Sequence, residues 1–150
     1  MIWLPEEDGI THVNVYSRGA TSLGRRLTNF AETPFVHPTD GPFQSVEGYW
    51  YWLKTGQMHD DLRQVSGWYA KKLGRKKPLV PCPPFDGKIK VAIRAKLIAH
   101  PDILRDLIDN ELPLTHYYVY HESVINAGYE WINEYYMQVR ESCIVRGYRP

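Results

Sequence analysis

Four prolines fall within seven residues at 78–84 (Pro-Leu-Val-Pro-Cys-Pro-Pro). Proline can continue neither a helix nor a central strand, so this stretch must be a loop. It is short enough to be a connection inside one domain. The chain of 150 residues is then read as a single domain, 1–150, large enough to bury a core without disulfide staples.

On the N-terminal side, alternation over His12-Val13-Asn14-Val15-Tyr16 predicts a short strand. Arg18 to Leu27, rich in Gly, Ser, Thr and Arg, reads as a loop, and Phe35 to Phe43 as an extended, turn-rich segment. Ser45 is the predicted N-cap of a helix from Val46 to Lys54 that stops at Gly56. A further helix is expected from Asp60 to Leu73, on the spacing of Leu62, Val65, Tyr69 and Leu73, with Gly74 at its C′ position. Beyond the prolines, Ile89, Ile93 and Leu97 mark a helix ending before Pro101, and 102–109 another with Leu104, Leu107 and Ile108 on one face. His116 to Tyr120 reads as a strand. Ser123 to Val145 reads as a final helix with Ile125, Tyr129, Ile132, Tyr136, Val139 and Cys143 inward. The expected class is α+β, mainly helical with a small amount of sheet.

The net charge of +1 conceals a strong segregation. Residues 1–70 carry five Lys/Arg against eight Asp/Glu, residues 71–100 nine against one, and residues 101–150 four against eight. One basic segment in an otherwise acidic chain offers an anion-binding surface. Aromatic residues make up 13%, a proportion that suits stacking against bases. No run of 18 apolar residues is present, so no membrane-spanning helix is expected. The first eight residues lack the basic-then-apolar order of a signal peptide, and two cysteines make no disulfide framework, which points to a cytoplasmic location.

Several chemistries are set aside. His116 and His121, five apart, are poor joint metal ligands, and Cys82 has no positioned base beside it. The segment from Gly19 to Gly24 lacks the Lys-Ser/Thr that follows a phosphate-cradling glycine loop. The most informative stretch is the helix from Val46. Seven residues on a helix turn about 700° and rise about 10.5 Å. Glu47 and Lys54 therefore share a face, too far apart for an ion pair but able to reach one bound molecule from two ends. A solvated polar stripe is the ordinary reading of such spacing. Here, however, Tyr49, Trp50, Tyr51 and Trp52 nearly encircle the helix, so a carboxylate and an amine within it need a reason. The basic run 71–77 after the next helix could bind phosphate or merely complement a helix dipole, and Arg25-Arg26 invite the same reading.

Taken in order, these segments resemble the NADAR family, the YbiA-like N-glycosidases. Val13-Asn14-Val15-Tyr16-Ser17 is similar to the family's opening strand, and Leu27-Thr28-Asn29-Phe30 to its Leu-Ser-Asn-Phe. Asp40-Gly41, then Ser45, Glu47, Tyr49 and Lys54, are similar to its Asp-Gly, Ser-x-Glu-His-Tyr and helix-closing Lys. Ala70 with Leu73-Gly74-Arg75 is similar to Ala-x-x-Met-Gly-Arg, and Ala92 to Leu97 to its Ala-Leu-Arg-x-Lys-Phe helix. The family's His after the Glu is Gly48 here. Phe85 stands for a family Trp, and Glu130 and Trp131 are the nearest match to a late Asp-x-x-Trp-Gly loop.

The resemblance implies a compact, phage-type member that cleaves N-glycosidic bonds. Glu47 would be the carboxylate at the ribose C1′ carbon, and Lys54 an amine able to form a Schiff base with the opened sugar. Arg75 and Arg25 would bind phosphate, Asn29 and Trp131 would position sugar and base, and no metal or cofactor is implied. The implied substrate is DNA or a nucleotide carrying ADP-ribose on guanine, the modification made by DarT-type toxins. A small phosphoribosylated intermediate of the riboflavin-pathway kind and an inactive ADP-ribose-binding module are the alternatives.

Overall fold

Ser45 anchors the helix that follows it. In the computed structural model, which describes residues 2–150, its hydroxyl accepts from the Gly48 amide at 3.0 Å and donates to the Val65 carbonyl at 2.9 Å. One side chain thus caps a helix and ties it to the segment that follows. Ser45→Ala removes both bonds and is expected to cost about 1–2 kcal/mol, read as a lower urea midpoint at unchanged slope.

The elements run β1 (Val13–Asn14), α1 (Ser22–Leu27), β2 (Phe35–His37), β3 (Gly41–Phe43), α2 (Val46–Lys54) and α3 (Gly67–Arg75). They continue with α4 (Phe85–Ala99), α5 (Pro101–Asp109), β4 (Leu114–Thr115), β5 (Tyr117–Tyr120), β6 (Ser123–Asn126) and α6 (Glu130–Arg146). The chain forms two compact units, Asn29–His100 and a second made of Met1–Thr28 with Pro101–Pro150.

In the unit Asn29–His100, β2 and β3 pair antiparallel, Phe35 opposite Phe43. Seven of the nine residues of α2 are buried, so the aromatic crowding has a packing cause. Phe43, Tyr49 and Trp52 meet edge to face or stacked within about 6 Å of one another. The Tyr49 hydroxyl donates to the Asp40 carboxylate at 2.6 Å. Arg63 lies over the Phe43 and Trp52 rings and donates to the Asp40 carbonyl at 2.6 Å. Ile89, Ala92, Ile93 and Leu97 of α4 are buried, as their spacing predicts.

In the other unit, β1 pairs parallel with β4, Val13 opposite Leu114. The Asn14 side chain exchanges two hydrogen bonds with the Tyr117 backbone, at 2.9 and 3.0 Å. Tyr136 of α6 is fully buried, and its hydroxyl donates to the Leu27 carbonyl at 3.1 Å. Arg26 bridges Asp102 and Asp106 on α5.

Four expectations change. The segment from Ser22 to Leu27 is a helix, because the Thr21 hydroxyl accepts from the Gly24 amide and opens a turn there. The helix expected over 60–73 is broken: a 3-10 turn (Asp60–Gln64) ends at an extended Val65, and α3 starts afresh at Gly67. Its inward residues are Ala70 and Gly74, whereas Tyr69 is exposed, so Gly74 lies inside the helix and not after it. Finally, 123–126 is a strand. His121 and Glu122, both at positive φ, turn the chain into a β5–β6 hairpin, and α6 begins only at Glu130. On α5, Ile103 takes the buried place given to Ile108.

Candidate active site

Glu47 sits in the first turn of α2 and is 9% exposed. Its amide donates to the Asn29 carbonyl at 2.9 Å, which fixes Asn29 against that turn. Its carboxylate accepts no hydrogen bond among the described residues. Burial raises its pKa from an ordinary 4.5 to about 7, partly offset by Lys71, Arg75 and Lys54, in that order. None of these three cations forms a close ion pair with it among the described residues. A carboxylate that titrates near neutrality therefore lies among positive charges it does not cancel. That combination suits proton transfer beside a bound anion.

The cations come from two helices. Lys54 ends α2, and its ammonium lies 5.0 Å from the Trp50 ring centre and 5.4 Å from that of Phe85. Those two rings meet edge to face at 4.7 Å. Two ring faces stabilise a charged ammonium, so this setting suits Lys54 to holding substrate charge more than to the nucleophilic role the resemblance implies. Lys71 and Arg75 stand four apart on α3. Of the basic residues between 71 and 77, only Lys77 has an acidic partner among the described residues, Asp61 at 2.9 Å.

The approach of α3 to α2 depends on two glycines. A Cβ on Gly74 would fall 2.2 Å from Cγ of Tyr51, so only glycine lets the helices come this close. A Cβ on Gly48 would fall 2.4 Å from the Leu62 carbonyl oxygen. No side chain fits at this position, where the motif it resembles has His. Beside this turn, the Asn29 Oδ1 is buried with no hydrogen-bond partner. An unused acceptor of this kind is available to a ligand hydroxyl.

Of the residues singled out from sequence, Glu47, Lys54, Asn29, Arg75 and Phe85 all belong to the unit Asn29–His100. Arg25, Glu130 and Trp131 belong to the other unit. There the Arg25 guanidinium donates to the Gly19 carbonyl at 2.9 Å, Glu130 is the first residue of α6, and Trp131 follows it. Lys71 was legible only as one charge in a basic run. Its role at Glu47 depends on two helices meeting, which no spacing within one segment reports. Among the described residues no cluster of His, Cys, Asp or Glu could hold a metal ion, both cysteines are free, and no helix is long and apolar enough to cross a membrane.

No protein-family model matches the chain, and no curated protein matches it in sequence. Among solved structures, it is similar to the NMR structure of the Escherichia coli protein YbiA, with a TM-score of 0.67 and 20% identity. The likeness covers 97% of this chain and 95% of that one. The chain therefore has the YbiA-like α+β fold that its ordered motifs led us to expect.

Proposed function

We propose that this YbiA-like chain is an N-glycosidase that removes ADP-ribose from guanine in DNA, reversing modification of the DarT type. The observation that carries the reading is Glu47, a buried carboxylate in the first turn of α2 with no hydrogen-bond or ion-pair partner among the described residues; burial pushes its pKa up to about 7 against the opposing pull of Lys71, Arg75 and Lys54. As the C1′–N bond breaks, its electron pair leaves on the base and positive charge builds at C1′. The ionised Glu47 stabilises that charge, takes a proton from the water that adds to C1′, and passes it to the departing base. Arg75 and Lys54 hold the phosphates, and Asn29 offers its free acceptor to a sugar hydroxyl. The exposed Lys72 and Lys76 of the basic run serve the phosphates of a DNA strand.

The test is incubation with an oligonucleotide carrying ADP-ribose on guanine, with released ADP-ribose read by mass spectrometry. The wild type is expected to release it, with a rate that is flat above about pH 7 and falls as Glu47 is protonated below it. A rate that rises toward acid would make Glu47 the proton donor instead. Release from a free mononucleotide but not from DNA would move the substrate to the small-molecule class, and no release from either would overturn the glycosidase reading.

A further inference from the structure

We infer that Lys71, Trp68 and Phe30 form a subsite beside Glu47 for a keto-bearing heterocyclic base, with the Lys71 ammonium donating to the keto oxygen. The inference rests on the glycosidase reading for its catalytic meaning, but its geometry stands alone. The Lys71 ammonium lies 5.8 Å from the Phe30 ring centre and 5.7 Å from that of Trp68. It has no hydrogen-bonding or acidic partner among the described residues, so its donors are available. Phe30 follows Asn29, whose carbonyl receives the Glu47 amide, and Lys71 is the strongest of the cations acting on Glu47. These two links tie the cluster to the Glu47 end of the site.

The chemistry of the ligand follows from these walls. Trp68 is 58% exposed, a large ring left in solvent next to a charge, and a planar base can stack on it. A phosphate placed between two aromatic rings would lose its hydration to apolar carbon. A flat ring with one strong acceptor at its edge would not. Arg75, four residues on and about 6 Å along the helix axis, is open to solvent and suits the phosphate. A purine 6-keto group accepts from lysine, whereas the 6-amino group of adenine is itself a donor and does not. When the glycosidic bond breaks, the electron pair left on the base spreads onto that same keto oxygen. Lys71 then stabilises the leaving group while Glu47 acts at the sugar, and the base recovers its proton from Glu47.

Calorimetry with guanosine 5′-monophosphate, adenosine 5′-monophosphate and ribose 5-phosphate tests the subsite without any turnover. The wild type is expected to prefer the guanine nucleotide by about tenfold, the scale of one good base contact. Lys71→Met, which keeps the length of the side chain and removes every donor, should abolish that preference. Trp68→Ala, at an exposed position that leaves the core intact, should weaken both nucleotides by about tenfold. Neither variant should change ribose 5-phosphate binding. Equal losses for all three ligands would make Lys71 a phosphate contact and overturn the subsite, as would wild-type affinity for the guanine nucleotide no better than for ribose 5-phosphate. The expected pattern in a protein that releases nothing from a glycoside would keep the subsite and remove the glycosidase reading. Turnover with no preference for a keto base would do the reverse.

Discussion

Glu47→Gln is expected to lower turnover about 10³-fold, within the range for loss of a positioned acid–base group, and to make the folded chain more stable above pH 7. The sign of the stability effect follows from linkage. The pKa of Glu47 is raised on folding from 4.5 to about 7. The wild-type protein is therefore favoured below pH 4.5, where the carboxyl is neutral in both states. That advantage is lost as the pH rises through 7 and the buried group must ionise. At about 1.4 kcal/mol per pH unit, the elevation corresponds to roughly 3 kcal/mol. Glutamine carries no charge at any pH, so the variant should match the wild type near pH 4 and exceed it by up to about 3 kcal/mol at pH 8–9. Urea unfolding at the two pH values measures the difference. A site that sacrifices stability in the pH range where it works is the expected signature of a functional group. Equal stability of the two proteins at pH 8–9 would mean that Glu47 is solvated, and the acid–base assignment would fall with it.

This charge arrangement was partly legible in the sequence, and the part that was not has a definite physical cause. Ser45, Glu47 and Lys54 could be placed because capping and helical repeat act within one segment; α2 begins and ends where those signals put it. The helix of 89–97 was readable for the same reason. Most of what failed needed a partner outside its segment. The Leu62, Val65, Tyr69 and Leu73 spacing suits one helix, but Val65 is extended because its carbonyl is taken by Ser45, twenty residues earlier. Residues 123–126 carry a periodic apolar pattern compatible with a helix, yet they pair with β5 across a two-residue turn. Likewise Gly48 and Gly74 look like weak points in helices. They are the contact points of α2 with the chain around Leu62 and of α3 with Tyr51. Lys71 reaches Glu47 only because these contacts are close.

That dependence makes Gly74→Ala the second large effect. A methyl here would meet Cγ, Cδ1 and Cβ of Tyr51 at 2.2, 2.4 and 2.5 Å. Rotation about χ1 moves Cγ and Cδ1, but Cβ is fixed by the backbone and stays at 2.5 Å, so α3 must move off α2. Overpacking of this kind costs about 3 kcal/mol at the upper end of its usual range. Alanine returns about 1 kcal/mol through better helix propensity, which leaves a net loss of about 2 kcal/mol. The functional effect should be larger than the loss of stability. Displacing α3 by about 1 Å carries Lys71 and Arg75 away from Glu47, and misplacement on that scale costs about 100-fold in rate. Because those cations hold the Glu47 pKa down, their retreat should also move the midpoint of the pH–rate profile above 7. A merely destabilised protein, assayed where it is still folded, would show neither change. Tyr51→Gly in the same chain removes all three atoms, Cβ at 2.5 Å included, and should bring the midpoint back toward 7, even though the truncation and the added glycine themselves lower stability. Recovery of the midpoint without recovery of stability would tie the two helices' separation to the ionisation of one carboxylate. A midpoint unmoved in Gly74→Ala would show that α3 does not tune Glu47.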